Sequence, residues 1–276
     1  MLEKLSQKIT KAKKTTKIML IAMLSLTFNL TACTLRSKAD NLQSLKKLSG
    51  GTSKAKNGAI RSQNLRDTAL SVGARGGLAW RATQINNVLL RHESMLYRLF
   101  NFNAMLLDKN VLPPVLTDAR NTLTLGGTDT IRIADRTFQI VEQARFVTAV
   151  PVWRDYLWLS YSPPETPDKS LLPKNREEQI VWKKFIDEGW DAGVQQAEII
   201  FKENIARLGR NYKGMILYRT LLAQNIVSPP FVAQLDMGIT GGGSDLTVND
   251  RVLRITAFPT LQNNSREWKT EITPHE

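Results

Sequence analysis

Residues 111–140 and 227–255 carry the same phrase twice, and this duplication limits the fold more than any other feature of the chain. Val111-Leu112-Pro113-Pro114 leads to Thr124-Leu125-Gly126-Gly127-Thr128-Asp129. At an offset of 116 residues, Val227-Ser228-Pro229-Pro230 leads to Thr240-Gly241-Gly242-Gly243-Ser244-Asp245. After a one-residue deletion, Ile131, Ile133, Asp135, Arg136, Phe138 and Ile140 match Leu246, Val248, Asp250, Arg251, Leu253 and Ile255. Apolar residues at every second position mark strands with one face buried. Each copy therefore reads as a strand, a Gly-Gly turn and an alternating strand. A short turn at Asp135-Arg136 or Asp250-Arg251 and a third strand complete it. The Pro-Pro pairs stop a helix and impose an extended backbone. One copy cannot easily cover its own apolar face, whereas two can join a single sheet under helices. Identities at Pro, Gly, Asp, Arg, Thr and Ile favour a true repeat over chance. The two segments should superpose as equivalent strand units.

Helical patterns surround the copies. A short helix is expected over 60–72, interrupted by Gly73-Ala74-Arg75-Gly76-Gly77. These glycines lack phosphate-cradle spacing and follow no strand, so a turn or a tight helix contact explains them better. A long helix follows, with Leu78, Ile85, His92, Leu99 and Leu106 seven apart and Leu89 and Leu96 between them. A second long helix starts near Asn175, a capping residue with Glu178 three positions on. Its stripe is Trp182, Phe185, Ile186, Trp190, Val194, Ala197, Ile200, Phe201, Ile205 and Leu208. Gly189 and Gly193 sit on that stripe. Helical glycine costs about 1 kcal/mol relative to alanine, so two on one face predict a backbone in close approach. Residues 212–224 read as a further helix. The expected class is α+β: long amphipathic helices on an antiparallel sheet built from two related β-units.

The N-terminal segment has Lys4, Lys8, Lys11, Lys13, Lys14 and Lys17 ahead of an apolar run, 18–30, with Glu3 its only acid. The run covers roughly 20 Å as a helix, short of a hydrocarbon core of ~30 Å. It reads as a secretory signal. Its ending, Leu30-Thr31-Ala32-Cys33, resembles the lipobox of bacterial lipoproteins, which implies lipidation of Cys33 after cleavage before it. Thr34, in place of Asp, leans towards the outer membrane. Cys33 is the only cysteine, so no disulfide is expected within the chain. The organisation expected is a signal over 1–32, a lipidated flexible tether over 33–59, one α+β domain over 60–258 and a polar tail over 259–276. The net charge of +13 falls to about +8 without the signal. Part of the excess lies in Arg36, Lys38, Lys46, Lys47, Lys54, Lys56, Arg61 and Arg66, among Ser, Gly and Asn. That reads as a solvated linker, and no nucleic-acid motif or partner is indicated.

Catalytic chemistry finds little material. The only histidines are His92, on a helical apolar stripe, and His275, in the tail. With Cys33 acylated, a His/Cys zinc site lacks ligands, and no nucleophile elbow accompanies His92. Glu177, Glu178, Asp187, Glu188 and Asp191 fall mostly on the polar face of a helix, where charge is the default. No catalytic residue, cofactor or metal is expected, and the chain does not read as an enzyme. The aromatic cluster at 150–164, with Trp153, Tyr156, Trp158 and Tyr161, suits an interface anchor or a core plug equally.

Four phrases then carry a family resemblance: Gly73-Ala74-Arg75-Gly76-Gly77-Leu78-Ala79-Trp80-Arg81, Val111-Leu112-Pro113-Pro114-Val115, Trp153-Arg154-Asp155-Tyr156-Leu157 and Gly189-Trp190-Asp191-Ala192-Gly193. Over about residues 60–258 the chain resembles the DotC lipoproteins of type IVB (Dot/Icm) secretion systems, whose counterpart in conjugation systems is TraI. The resemblance implies a non-enzymatic outer-membrane scaffold with its folded part in the periplasm. It also implies DotD-like and DotH-like neighbours and a ring-forming assembly for effector export. The competing reading is a peptidoglycan-binding or cell-wall-cleaving lipoprotein, which requires two carboxylates facing one cleft. A solute-binding lipoprotein requires a deep cleft between two comparable lobes.

Overall fold

The computed structural model describes residues 35–50 and 58–269. The signal, Leu30, Thr31, Ala32, Cys33 and His275 lie outside the described residues. The helices are α1 (Leu35–Lys46), α2 (Ala59–Arg91), α3 (Glu93–Leu99), α4 (Trp153–Leu157) and α5 (Arg176–Ala223). The strands are β1 (Val111–Leu112), β2 (Val115–Leu125), β3 (Ile131–Glu142), β4 (Arg145–Phe146), β5 (Phe231–Gly242) and β6 (Asp245–Ala257). Long helices with antiparallel strands make the class α+β, as expected. The contacts divide the chain into two compact units rather than the single 60–258 domain expected. The first holds the described residues up to Leu99 together with Trp153–Ala206; the second holds Phe100–Val152 and the residues from Arg207 onward.

In the first unit, α2 packs against the N-terminal part of α5 through glycine. A Cβ added at Gly73 would lie 2.5 Å from the carbonyl oxygen of Ile186. One added at Gly77, Gly189 or Gly193 would strike the carbonyl oxygen of Trp190, Leu70 or Ala74. The close approach predicted for Gly189 and Gly193 is present. The interruption predicted at 73–77 is not: α2 runs unbroken to Arg91. The glycines give the neighbouring helix access, and the packing gained offsets their local cost. His92 is half-buried at the C-terminus of α2, where its N–H meets Leu89 O at 3.1 Å, so the seven-residue stripe is cut there. Asn175 caps α5 as expected, its Oδ1 accepting from Glu178 N at 2.8 Å. Residues 212–224 belong to this same 48-residue helix rather than to a separate one.

Part of the expected tether is ordered here. Beside the cluster of Leu65, Ala69, Val72, Leu172, Trp182 and Ile186 pack Leu42, Leu45 and Leu48. The indole N–H of Trp182 donates to Leu45 O at 3.1 Å, and Gly50 N donates to Pro173 O at 3.0 Å. Leu42 and Leu45 on α1, with Leu48 just beyond its end, give an apolar side that the polar composition of the segment disguised.

The second unit carries the repeat. Among the described residues, β2 pairs only with β3, and β5 only with β6, each as an antiparallel two-stranded sheet. The single sheet predicted from the two copies is therefore two separate hairpins. The equivalence itself extends past the matched segments. Val111 pairs with Phe146 and Leu112 with Arg145. At the equivalent positions Val227 bridges Leu261, and Ser228 N donates to Thr260 O at 2.9 Å. The predicted turns at Asp135-Arg136 and Asp250-Arg251 are absent: both pairs lie inside the continuous strands β3 and β6. Residues 259–269, expected as a tail, are stitched to the end of α5. Gln262 N donates to Ile226 O and Lys269 N to Gln224 O, both at 2.8 Å.

Candidate interaction surface

The two hairpins are rooted in apolar contacts and end in exposed ones. At the base of the first, Leu116 is buried with Tyr218, Leu221 and Val227, and Phe138 and Ile140 pack beside them. Burial raises the Tyr218 phenol to about 12, and its hydroxyl has no hydrogen-bond partner among the described residues. Gly214 lets the strand come close to α5; a Cβ there would lie 2.6 Å from Leu116 O. Asn211 is also buried and donates to Glu142 Oε1 at 3.1 Å.

Towards the turns the polarity of exposure inverts. In the first hairpin Leu123 pairs with Ile133, and Leu125 with Ile131. In the second Ile239 pairs with Val248, and Gly241 with Leu246. These are equivalent positions in the repeat. Leu123 and Ile133 are each 70% exposed, and Ile239 and Val248 are 68% and 61% exposed. On β5 the sequence alternation of Phe231, Ala233, Leu235, Met237 and Ile239 is broken by register shifts on both sides of Gly238, so it does not form one continuous face. The intervening positions carry Thr122, Thr124 and Arg132 in one hairpin and Thr240 and Thr247 in the other. Towards its turn each hairpin is thus amphipathic, with the apolar side chains there in solvent.

Sequence reasoning located the alternation and assigned it to a core. Period alone does not say which face meets protein, and no local signal distinguishes the base from the tip. The repeated Asp-Arg pairs serve the hairpins themselves. Arg136 Nη2 lies 2.8 Å from Asp118 Oδ2, and Arg251 Nε lies 3.5 Å from Asp236 Oδ1, each tying strand to strand.

The candidate carboxylates do not share one role. Glu178 is buried and takes two hydrogen bonds from Arg61, at 2.8 and 3.0 Å, and one from Lys174 N at 2.8 Å. The Arg61 hydrogen bond is the largest cause holding its carboxyl below the ordinary glutamate range; burial opposes it. Asp187 pairs with Lys46 at 2.5 Å, while Glu177, Glu188 and Asp191 are exposed on α5. The aromatic cluster divides. Trp153, Tyr156 and Leu157 are core, and Trp158 and Tyr161 are partly exposed. Arg154 stacks over both Trp153 and Trp158, at 5.1 and 5.3 Å, and pairs with Glu93 at 2.8 Å. Among the described residues, no helix is long and apolar enough to cross a membrane.

The family model for "Type IV secretory system, conjugal DNA-protein transfer" (T4SS_TraI) matches residues 59–270, and the chain belongs to that family. No curated protein matches it.

Proposed function

We propose that this chain is a lipid-anchored, non-enzymatic scaffold in the outer-membrane core complex of a type IVB secretion system. It would hold DotD-like and DotH-like subunits in place for effector export, as the resemblance to DotC lipoproteins implies. The observation that carries the reading is the joint presence of the family match over 59–270 and the Leu30-Thr31-Ala32-Cys33 ending of an apolar signal. Acylation at Cys33 supplies the attachment, since two or more chains hold a protein far more firmly than one. The folded part then lies on the periplasmic side. Two features support a structural role: Glu178 is committed to bracing Arg61, and the repeated Asp-Arg pairs brace hairpins.

Replacing Cys33 tests the reading. Cys33→Ser protein should accumulate unprocessed, leave the outer-membrane fraction and mislocalise the DotH-like partner. Normal fractionation of the variant with outer membranes would overturn the anchor.

A further inference from the structure

The docking of α1 fixes the end of the first unit from which Cys33 is reached. Gly50 N donates to Pro173 O at 3.0 Å, and the adjoining Leu172 O accepts from Arg61, near the start of α2, at 3.3 Å. Midway along α2, a Cβ added at Gly76 would lie 2.6 Å from Leu45 Cδ1. Asn41 lines one cleft with Thr83 and Gln84. The helix α1 therefore runs antiparallel to α2, and its start is directed at the C-terminal end of α2. The six residues from Asn41 back to Leu35 rise ~9 Å, as do the six from Gln84 on to Leu90. Cys33 precedes Leu35 by two residues, a reach of at most ~7 Å.

That end of the unit exposes Leu90, Tyr97, Trp158 and Tyr161, by 41%, 42%, 37% and 40%. The four are held as a set. Asn86 Nδ2 donates to Leu159 O at 2.8 Å, and Leu159 N donates to Asn86 Oδ1 at 3.2 Å. This clamp buries Leu159 and leaves Trp158 and Tyr161 outside. Leu90 stands one helical turn beyond Asn86, on the same side of α2. The Tyr97 ring meets Trp153 edge-on at 5.8 Å, and Arg154 lies over both Trp153 and Trp158.

We propose that Leu90, Tyr97, Trp158 and Tyr161 form a seat that rests on lipid headgroups beside the acyl chains of Cys33. The inference rests on the lipid anchoring proposed above. The place where the chain reaches Cys33 selects a lipid surface as the occupant. With only Thr34 between Cys33 and α1, an acylated Cys33 brings the membrane to this end of the unit. The composition suits headgroup depth. Tyr and Trp join an apolar ring to a polar tip and gather at the membrane–water interface. Arg91 and Arg98, exposed beside Leu90 and Tyr97 in the chain, supply cations for anionic headgroups on stems that can lie along apolar surface.

The sole natural cysteine is the proposed lipidation site, so an introduced cysteine would be the only free thiol. Full-length acylated protein carrying Ser160→Cys, Tyr161→Cys or Asn64→Cys is labelled with bimane. It is then floated with phosphatidylethanolamine/phosphatidylglycerol vesicles, with or without brominated chains. Asn64 is the reference, exposed on α2 and ~33 Å before Asn86 along the helix. Labels at 160 and 161 should be quenched at least twofold by brominated lipid and shielded from aqueous iodide. The label at 64 should be open to iodide and insensitive to brominated lipid. Adding Trp158→Ser and Tyr161→Ser to the Ser160→Cys protein should leave flotation unchanged and remove most of the quenching. An equal response of all three labels on floated protein overturns the seat, as does full quenching without the two aromatic side chains. Shielding at 160 and 161 without quenching by brominated lipid also overturns it, because it assigns the surface to a second copy. Floated protein whose intact mass shows no acyl chains at Cys33 overturns the anchor itself, and the seat with it.

Discussion

The glycine-locked helices and the paired hairpins treat apolar surface in opposite ways. Where α2 meets α5, Gly73, Gly77, Gly189 and Gly193 remove side chains so that two backbones touch, and Trp182, Ile186 and Trp190 are fully buried around them. In the hairpins Leu123, Ile133, Ile239 and Val248 stand in solvent on strands with one neighbour each. The first region buries its apolar residues within the chain, and the second leaves them exposed. If that division is right, substitutions in the two regions should differ in their cost to folding.

The largest effect should come from Trp182→Ala. Its indole is wholly buried and also donates to Leu45 O in the last turn of α1. Loss of a buried Trp costs about 3–5 kcal/mol. Chemical denaturation should show that loss, and limited proteolysis should show cleavage near residues 42–50. Undiminished protection there would mean that α1 docks without this anchor. Gly193→Val should cost about 3 kcal/mol, because its side chain would need the space held by the Ala74 carbonyl. A wild-type midpoint for that variant would show that the two backbones separate freely, and the contrast with the hairpins would weaken.

Glu178→Gln should cost less, about 2 kcal/mol, the range of hydrogen bonds to charged groups. The effect carries a pH signature. The folded carboxyl titrates below its unfolded value, chiefly through Arg61, so its stabilisation is complete above the ordinary glutamate range near ~4.3. It is lost as pH falls through the lowered folded value. Denaturation midpoints measured from pH ~6 down to ~3 should therefore converge for wild type and variant at the acid end. Parallel curves would show that the Arg61 pair contributes nothing specific.

The legible parts of the fold were those with a local chemical signature. Asn175 capped its helix, Gly189 and Gly193 marked a close backbone, and the repeat extended to bridges at 111/146 and 227/261. The errors share a cause: local tendency was outweighed by a distant partner. Glycines at 73–77 read as a break because their cost is local, while the compensating helix is more than a hundred residues away. Asp135-Arg136 and Asp250-Arg251 read as turns because Asp favours turns. In the strands their arginines pair with Asp118 and Asp236 on the facing strand. The exposed face was the least legible, because alternation is the same whether a strand faces a core, a partner or lipid.

The smallest folding effect should come from Leu123→Thr combined with Ile239→Thr. Both side chains are about two-thirds exposed, so little burial is lost within the chain, and threonine suits a strand. Surface changes of this kind usually stay within ~0.5 kcal/mol, so the denaturation midpoint should match wild type. Circular dichroism should show an unchanged fold. A stability loss of several kcal/mol would mean that these residues already serve a core. The division between the two regions would then fail at its most exposed point.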